Sequence, residues 1–242
     1  MRIDKLLSNI GYGSRKEVKK ILKNGQVTVN GNIVKDAKFH VDPIVDSVYL
    51  FGEKVQYREF IYLMMNKPAG VISATEDDRD ETVIDLLNDE EAVFSPFPVG
   101  RLDKDTEGLL LLTNDGKLAH QLLSPKKKVP KKYFAVINSP VTEDDVAAFG
   151  KGVTLDDGYE TKPGKLTILK SGEYSDIELT ITEGKFHQVK RMFEAVGKKV
   201  VYLKRISMGP LLLDDTLENG QYRELTEEEV LQLKEFSPKE QD

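Results

Sequence analysis

Two aspartates in one short loop are the residues best placed to do chemistry. Asp103 and Asp105 lie in the segment GRLDKDTEG, which leads into the wholly apolar run from Leu109 to Leu112. Aspartates are common in turns, where they hydrogen-bond the backbone, so a structural role is one interpretation. The alternative is catalytic, because a loop that feeds a buried strand holds its carboxylates at the rim of a sheet, on a rigid support.

Other reaction classes find little support in the sequence. The 242 residues include no cysteine and only three histidines, so we expect no disulfide, no thiolate site and no metal site. Walker, GxGxxG, GxSxG, HExxH and CxxC motifs do not occur. A hydrolase that uses Asp103 and Asp105 as acid and base remains an alternative, although residues two apart in a turn are free to point apart.

Two further segments carry basic residues that could bind an anion. Tyr133 opens the strand-like run YFAVI directly after a lysine-rich loop that contains Lys127, Lys128 and Lys131. That loop could be merely solubilising, but in an otherwise acidic stretch it is a candidate phosphate clamp. FHQVKRMFEAVG has helical spacing and places Lys190 and Arg191 about 100° apart on one helix.

The charge distribution separates a basic head from an acidic body. The net charge is −6, yet residues 1–40 carry nine basic and three acidic residues, a net of +6. A basic head on an acidic body indicates that the head meets an anion. The N-terminus has no long apolar core, and the longest apolar runs are far too short to span a bilayer, so we expect a cytoplasmic location and no membrane partner.

The head has a readable secondary structure. Ile3, Leu6, Leu7 and Ile10 are spaced as on a helix, and Ser14 with Glu17 predicts a capping box for a second helix. QVTVNGNIV predicts a hairpin at Asn30-Gly31. The second helix gathers its lysines on the face opposite its apolar residues, namely Lys16, Lys19, Lys20 and Lys23.

The body reads as a mixture of strands and irregularly placed helices. Strands are predicted at the run before Lys67-Pro68-Ala69-Gly70 and again directly after it, at Leu109–Leu112, and in YFAVI, DIELTITEG and VVYL. Helices are predicted at 117–123, after Thr142, around Val189–Val196, and after a capping box of Thr226 and Glu229. The sequence therefore predicts an α+β protein with a mixed, largely antiparallel sheet over 59–242, preceded by a small helix-helix-hairpin domain over 1–58.

These segments resemble known families. RIDKLL, SRKEVKKIL and GQVTVNG are similar to a small RNA-binding domain found in a ribosomal protein and in several RNA-modifying enzymes. GRLD followed by DTEGLLLLTNDG resembles the signature motif of the pseudouridine synthases of the RsuA family, and LMMNKPAGV, KKYFAV and EGKFHQVKRMFEAVG match further blocks in order. The resemblance covers essentially the whole chain and implies the pseudouridine synthase fold.

The resemblance also implies roles for individual residues. Asp103 would be the nucleophile, Tyr133 would stack on the target uracil, and Lys190 would be the basic partner of the aspartate, or Arg191 if the register differs. Lys67 would shape the site and Arg101 would lie near the flipped nucleotide. RNA phosphates would be contacted by the basic head and by the loops of the body: Arg2, Lys5, Ser14, Arg15, Lys16, Lys19, Lys20, Lys23, Lys67, Arg101, Lys127, Lys128, Lys131 and Arg191.

The chemistry of that family fits these residue types. A uridine must be flipped out of its stack, at a cost of a few kcal/mol, and an aromatic face stabilises it in any orientation. The isomerisation involves no redox change and no added group, so we expect no cofactor. Asp103 could attack the sugar carbon, attack the base, or first remove a sugar proton.

The implied partner is ribosomal RNA, in a small-subunit assembly intermediate, bound by a monomer. EGKFHQVKRMF is particularly similar to the family member that acts on small-subunit rRNA. Two alternatives remain: a synthase acting on large-subunit rRNA, and a non-catalytic RNA-binding assembly factor that keeps the fold.

Overall fold

The structure, a computed structural model, describes residues 1–55 and 57–236. The chain forms two compact units. The first comprises Met1–Ile61 and Leu87–Pro96, and the second comprises Tyr62–Leu86 and Phe97–Asp242. The boundary predicted between residues 58 and 59 stays a prediction.

The first unit packs two helices against a small sheet. Its helices are α1 (Ile3–Asn9) and α2 (Arg15–Lys23). Its described strands form an antiparallel sheet in the order β2-β1-β3-β4, where β1 is Val27–Val29, β2 is Asn32–Ile33, β3 is Val48–Leu50 and β4 is Glu53–Lys54. A short helix, α3 (Asp89–Ala92), belongs to the same unit.

Local sequence signals account for this arrangement. The Ser14 hydroxyl accepts the Glu17 amide while the Glu17 carboxylate accepts the Ser14 amide, so the predicted capping box of α2 is confirmed. Asn30 and Gly31 have φ of 50° and 81°, the left-handed pair that a two-residue hairpin requires. Burial of α1 and α2 against the sheet gives the unit its own apolar core, which includes Ile3, Leu6, Leu7, Val18, Leu22, Val27 and Leu50.

The second unit is built on a mixed sheet whose nine strands all lie within the described residues. The main path runs β13-β5-β7-β11-β8-β10-β9, with β6 paired to β7 and β12 to β11. The strands are β5 (Tyr62–Lys67), β6 (Phe97–Pro98), β7 (Glu107–Thr113), β8 (Lys131–Ile137), β9 (Lys165–Lys170), β10 (Ser175–Ile181), β11 (Val200–Met208), β12 (Leu211–Leu212) and β13 (Tyr222–Glu224). The predicted α+β class with a largely antiparallel sheet is confirmed.

Four α-helices and one short 3-10 helix, Pro125–Lys127, accompany this sheet over the described residues. The α-helices are α4 (Gly116–Leu123), α5 (Glu143–Lys151), α6 (Gln188–Ala195) and α7 (Glu227–Glu235). The predicted capping box of Thr226 and Glu229 starts α7. None of the helices in the described part of the chain is long and apolar enough to cross a bilayer.

The one parallel pairing among the described strands joins β7 to β11 at the loop that carries Asp103. Lys204 pairs with Glu107 and Arg205 with Gly108. A Cβ on Gly108 would lie 2.3 Å from the Arg205 carbonyl oxygen, so only glycine allows this approach. The sheet therefore fixes the residues that directly follow the aspartate loop.

One predicted strand is wrong. The segment after Gly70 forms only an isolated bridge, between Ile72 and Thr82. Its polar groups bind the aspartate loop, because Gly70 N donates to Lys104 O at 2.7 Å and Ser73 is hydrogen-bonded to Leu102. The apolar pattern of this segment reflects burial against a loop and not pairing within a sheet.

Candidate active site

Hydrogen bonds to buried side chains fix the backbone of the loop over residues 100–106. Ser73 Oγ accepts the Leu102 amide at 3.0 Å and donates to the Leu102 carbonyl at 3.1 Å. The Thr106 amide donates to the Asp103 carbonyl at 3.0 Å, which closes a turn. These contacts fix the backbone on both sides of Asp103 while its side chain stays 25 % exposed.

Lys67 anchors the same loop from inside the protein. Its ammonium donates to the carbonyl oxygens of Pro68 at 2.8 Å, Thr106 at 2.9 Å and Lys104 at 3.4 Å. Burial lowers the pKa of Lys67 to about 8, and nearby carboxylates, chiefly that of Asp105, offset part of that fall. Because Lys67 is fully buried, the prediction that it contacts RNA does not fit this geometry; it positions the loop instead.

Two basic side chains from the start of α6 flank the Asp103 carboxylate. Lys190 Nζ lies 3.4 Å from Asp103 Oδ2, and His187 Nε2 lies 3.7 Å from Asp103 Oδ1. The structure therefore brings together the predicted Asp103 and Lys190.

Asp105 shares the same lysine but faces solvent. Its Oδ1 accepts from Lys190 Nζ at 2.5 Å, and its side chain is 71 % exposed. Burial raises the pKa of Asp105, but the hydrogen bond and the charge of Lys190 outweigh this effect and hold that pKa below its usual range. Both aspartates are thus paired to one cation, and Asp105 is not set up as the protonated acid that the hydrolase alternative needs.

An open pocket surrounds this group. It has a volume of about 500 Å³ and is lined by Ala69, Gly70, Asp103, Lys104, Asp105, His187 and Lys190. At the entrance of the pocket, Gly70 has a φ of 92°, and no atom lies within 4 Å of the position that a Cβ would occupy, so the entrance is open. The pocket is therefore concave, charged and accessible, with the Asp103 carboxylate in its wall.

Arg191 points elsewhere. Its Nε donates to Asp156 Oδ1 at 2.7 Å, and its Nη2 lies 2.7 Å from Asp157 Oδ2. Of the two adjacent bases on α6, Lys190 is thus the partner of Asp103, and the alternative register is not adopted. The RNA contact predicted for Arg191 stays a prediction, and the two aspartates already compensate its charge.

Tyr133 lies on the interior strand β8 and is only 8 % exposed. It is paired with Leu179 of β10 and Arg205 of β11. It is not among the described residues that line the pocket. Its role as the stacking partner of the uracil stays a prediction.

Comparison with known proteins identifies the family. The model of the family described as RNA pseudouridylate synthase matches residues 61–195, and the S4 domain model matches residues 1–43. The uncharacterized RNA pseudouridine synthase YtzG of Bacillus subtilis is 60 % identical over 97 % of this chain and 99 % of its own. This chain belongs to the RNA pseudouridine synthase family.

Two further relatives extend over almost the full length. The ribosomal small subunit pseudouridine synthase A of Escherichia coli is 40 % identical over 95 % of this chain and 98 % of its own. A crystal structure of a pseudouridylate synthase is 37 % identical, covers 96 % of this chain and 99 % of its own, and superposes with a TM-score of 0.68. The resemblance to the RsuA family predicted from the sequence motifs is confirmed.

The S4 domain of this pseudouridine synthase carries the basic residues predicted to bind RNA. Lys5, Arg15 and the α2 lysines are exposed, whereas Arg2 binds the buried Asp4 through two hydrogen bonds of 3.0 and 2.6 Å. Burial raises the pKa of Asp4, but the hydrogen bonds and charge of Arg2 hold it below its usual range. Arg2 and Ser14 thus have structural partners, and Lys5, Arg15 and the α2 lysines are the exposed groups that a phosphate can reach.

The basic residues of the catalytic unit differ in accessibility. Arg101, Lys127 and Lys128 are exposed, as an RNA contact requires. Lys131 is largely covered, and its ammonium donates to the Val129 carbonyl at 3.1 Å. Burial lowers the pKa of Lys131 to about 8, and the positive charges of Arg205 and Lys162 lower it further.

Sequence reasoning missed three residues around Asp103. Ser73 was assigned to a strand, and its contact to Leu102 spans distant parts of the chain. His187 lies directly before α6, and its ring lines the pocket. The only signal for Phe186 is that it is the one apolar residue in the segment EGKFHQ.

Proposed function

We propose that this pseudouridine synthase isomerises one specific uridine of small-subunit rRNA, with Asp103 as the nucleophile and no cofactor. The observation that carries this proposal is the Asp103 carboxylate in the pocket wall, 3.4 Å from Lys190 and 3.7 Å from His187. The similarity to the Escherichia coli enzyme named for the small subunit supports the choice of rRNA.

The reaction needs few functional groups. The N1–C1′ bond of the nucleotide breaks, the uracil turns over, and a C5–C1′ bond forms; the proton leaves C5 and N1 gains one. Asp103 attacks with the Lys190 ammonium 3.4 Å from its carboxylate, and Tyr133 supports the uracil as it turns, because stacking tolerates any orientation of the base. Reactant and product have the same composition and oxidation state, so no group or electron has to be supplied.

Lys67 and Ser73 act through the loop backbone. Their hydrogen bonds hold Leu102, Lys104 and Thr106, so they fix where the Asp103 carboxylate points. Nucleophilic attack requires reacting atoms about 3–3.5 Å apart and aligned. These two residues are therefore positioning residues.

The test uses rRNA transcripts labelled with tritium at uracil C5. Wild type should release tritium and Asp103→Asn should release none above background, because the amide keeps the shape but removes the charge. Asp105→Asn is the matched control: this aspartate has the same Lys190 partner and 71 % exposure, and the variant should retain most activity. Release by Asp103→Asn at the wild-type rate would overturn the assignment of the nucleophile.

Mapping the modified base then tests the target. Because pseudouridine has the same mass as uridine, the RNA is first treated with a carbodiimide whose adduct survives alkali only on pseudouridine. Mass spectrometry of the nuclease fragments should then place one adduct in the small-subunit RNA and none in the large-subunit RNA. A modification found only in large-subunit RNA would overturn the choice of target, and silence of the wild type on every rRNA substrate would favour a non-catalytic assembly factor.

We extend the proposal to the form of the substrate. A monomer acts in the cytoplasm on a small-subunit assembly intermediate, where the target uridine is not yet buried and can be flipped out. Partially assembled particles should therefore be modified faster than mature subunits, and sedimentation of the complex should give one enzyme per particle. Equal rates on mature subunits, or two enzymes per particle, would contradict this extension.

A further inference from the structure

An exposed aromatic ring stands at the rim of the pocket. Phe186 is 73 % exposed, and one face of its ring stacks on His187 with centroids 3.8 Å apart and planes 18° from parallel. His187 in turn lines the pocket and lies beside Asp103. The two rings thus form a continuous stack, the Phe186–His187 platform, that leads from the Asp103 carboxylate to the solvent.

The backbone holds this platform in a strained form. His187 has a φ of 49°, in the left-handed region of backbone conformation that residues other than glycine adopt only at a cost in free energy. Neighbouring contacts fix the conformation: Lys185 N donates to Gln188 Oε1 at 2.8 Å, and Arg191 Nη1 donates to the Phe186 carbonyl. Strain that is held by surrounding contacts next to a reactive group is typical of functional positions.

Phe186 contributes little to packing. Its outer face meets water, whereas the apolar residues of α6, Val189, Met192 and Phe193, are buried. A phenyl ring in this position exposes apolar surface at a cost in solvation, without a gain in the core. Its outer face is suited to a flat, apolar partner that is present only in the complex.

The chemistry of the reaction supplies such a partner. When the target uridine is extruded toward Asp103, the neighbouring bases lose a stacking surface. An aromatic face beside the pocket replaces that surface without reading the base, because every nucleobase has a π-face. Exposed Lys185, whose ammonium lies over the Tyr159 ring, can meet the phosphates of the same strand, and so can exposed Lys104 if it exchanges its ion pair with Asp80 for a phosphate.

We propose that the outer face of Phe186 stacks on the base of a nucleotide that directly flanks the target uridine, with His187 supporting the ring from behind. The platform is thus a substrate-positioning surface for an unstacked RNA strand. This inference rests on the proposed function of the same site, because the flanking base is defined by the uridine at Asp103.

The absence of tryptophan from the sequence allows a direct test. Phe186→Trp introduces a single indole at the platform. Tyr174→Trp is the matched control, because Tyr174 is also exposed, at 55 %, but lies away from the platform. Tyr174 directly precedes β10, whereas Phe186 follows the other end of that strand, and the seven residues of β10 span about 23 Å. With saturating transcript of small-subunit rRNA, the fluorescence of the indole at 186 should be quenched and that at 174 should stay unchanged. Full binding, measured by filter retention, without quenching at 186 would overturn the proposal.

Activity separates stacking from simple bulk. Phe186→Leu keeps apolar volume but has no π-face, so its Kd for the transcript and its KM should rise about fivefold to a hundredfold with kcat nearly unchanged. Phe186→Trp, which keeps a π-face, should have a Kd and a KM near those of the wild type. Wild-type values in Phe186→Leu, with an active wild type, would overturn the platform and leave the proposed function intact. A wild type that releases no tritium would overturn the function, while the quenching measurement would still decide whether RNA stacks on the ring.

Discussion

The Ser73 hydroxyl is hydrogen-bonded to both the amide and the carbonyl of Leu102, the residue that precedes Asp103. Ser73 is only 8 % exposed, so water does not readily replace these bonds. A backbone group that loses its partner in such a place costs about 1–3 kcal/mol. The position of the loop that carries Asp103 thus depends, together with Lys67, on a serine that does not line the pocket.

Replacing Ser73 with alanine should therefore reduce turnover. We expect kcat of Ser73→Ala to fall about tenfold with little change in the Kd for rRNA, because the loop that carries Asp103 loses its support. Ser175→Ala is the matched control: Ser175 is also buried and bonds the Val141 amide and the Ser139 carbonyl. Both variants should lose similar stability in urea unfolding, but only Ser73→Ala should lose turnover. An equal loss of kcat in both would assign the effect to global stability.

Lys67 gives a prediction that separates positioning from RNA contact. Lys67→Met keeps the volume but removes the ammonium that binds three carbonyl oxygens. A charge-assisted hydrogen bond contributes about 1.5–3 kcal/mol, so kcat should fall about tenfold to a hundredfold. The salt dependence of RNA binding should be unchanged, because this buried lysine releases no counterion.

The matched control for Lys67 is an exposed lysine of the same unit. Lys151→Met in the last turn of α5 should leave kcat and affinity near wild type. If Lys67→Met instead flattens the salt dependence of binding and leaves kcat unchanged, Lys67 contacts phosphate in the complex, as the family resemblance implied.

Local sequence signals were sufficient to predict much of the fold. Capping boxes at Ser14 and Thr226 and the hairpin at Asn30-Gly31 depend on residues within a few positions of each other, and the structure has all three. The RsuA-type motifs led to Asp103 and Lys190, which lie 3.4 Å apart. Both kinds of signal are carried by short, ordered stretches of sequence.

Long-range contacts were beyond reach. The pairing of β7 with β11 and the hydrogen bonds of Ser73 to Leu102 join segments that are distant in the sequence. The residue pattern of each segment does not identify the segment that it contacts. Strand β9 was missed, because its exposed lysines and threonine leave a weak alternation. The left-handed conformation of His187 has no local signal such as glycine, and only the surrounding contacts impose it.

Lys131 predicts a pH dependence of RNA binding. Its pKa is lowered to about 8 by burial and by the charges of Arg205 and Lys162, so the side chain is mostly protonated at pH 7 and loses its proton as pH rises through 8. If Lys131 meets a phosphate, the Kd should rise about tenfold between pH 7 and pH 9.5, the contribution of one charge-assisted hydrogen bond.

Lys131→Arg supplies the control, because arginine stays protonated across this range. The rise in Kd should be absent or much smaller in the variant, measured at constant ionic strength. Lys67, whose pKa is also about 8, is present in both proteins and contributes equally to both profiles. Identical profiles in wild type and Lys131→Arg would exclude Lys131 as the titrating group.

The exposed lysines of α2 predict that the affinity for RNA depends on salt. Lys16, Lys19, Lys20 and Lys23 all face solvent, while Val18 and Leu22 are buried on the other side of the helix. Each phosphate that a lysine neutralises contributes about 0.7–0.9 to the slope of log K against log salt. Replacing all four with alanine should therefore weaken binding and reduce the slope by about 3, and the intact capping box should keep α2 folded.

The control variant loses the same amount of positive charge from the second unit. Alanine replaces four exposed lysines there: Lys151, Lys165, Lys170 and Lys199. A slope that stays at the wild-type value in the α2 variant, or that falls equally in both, would show that the head does not bind RNA through this face.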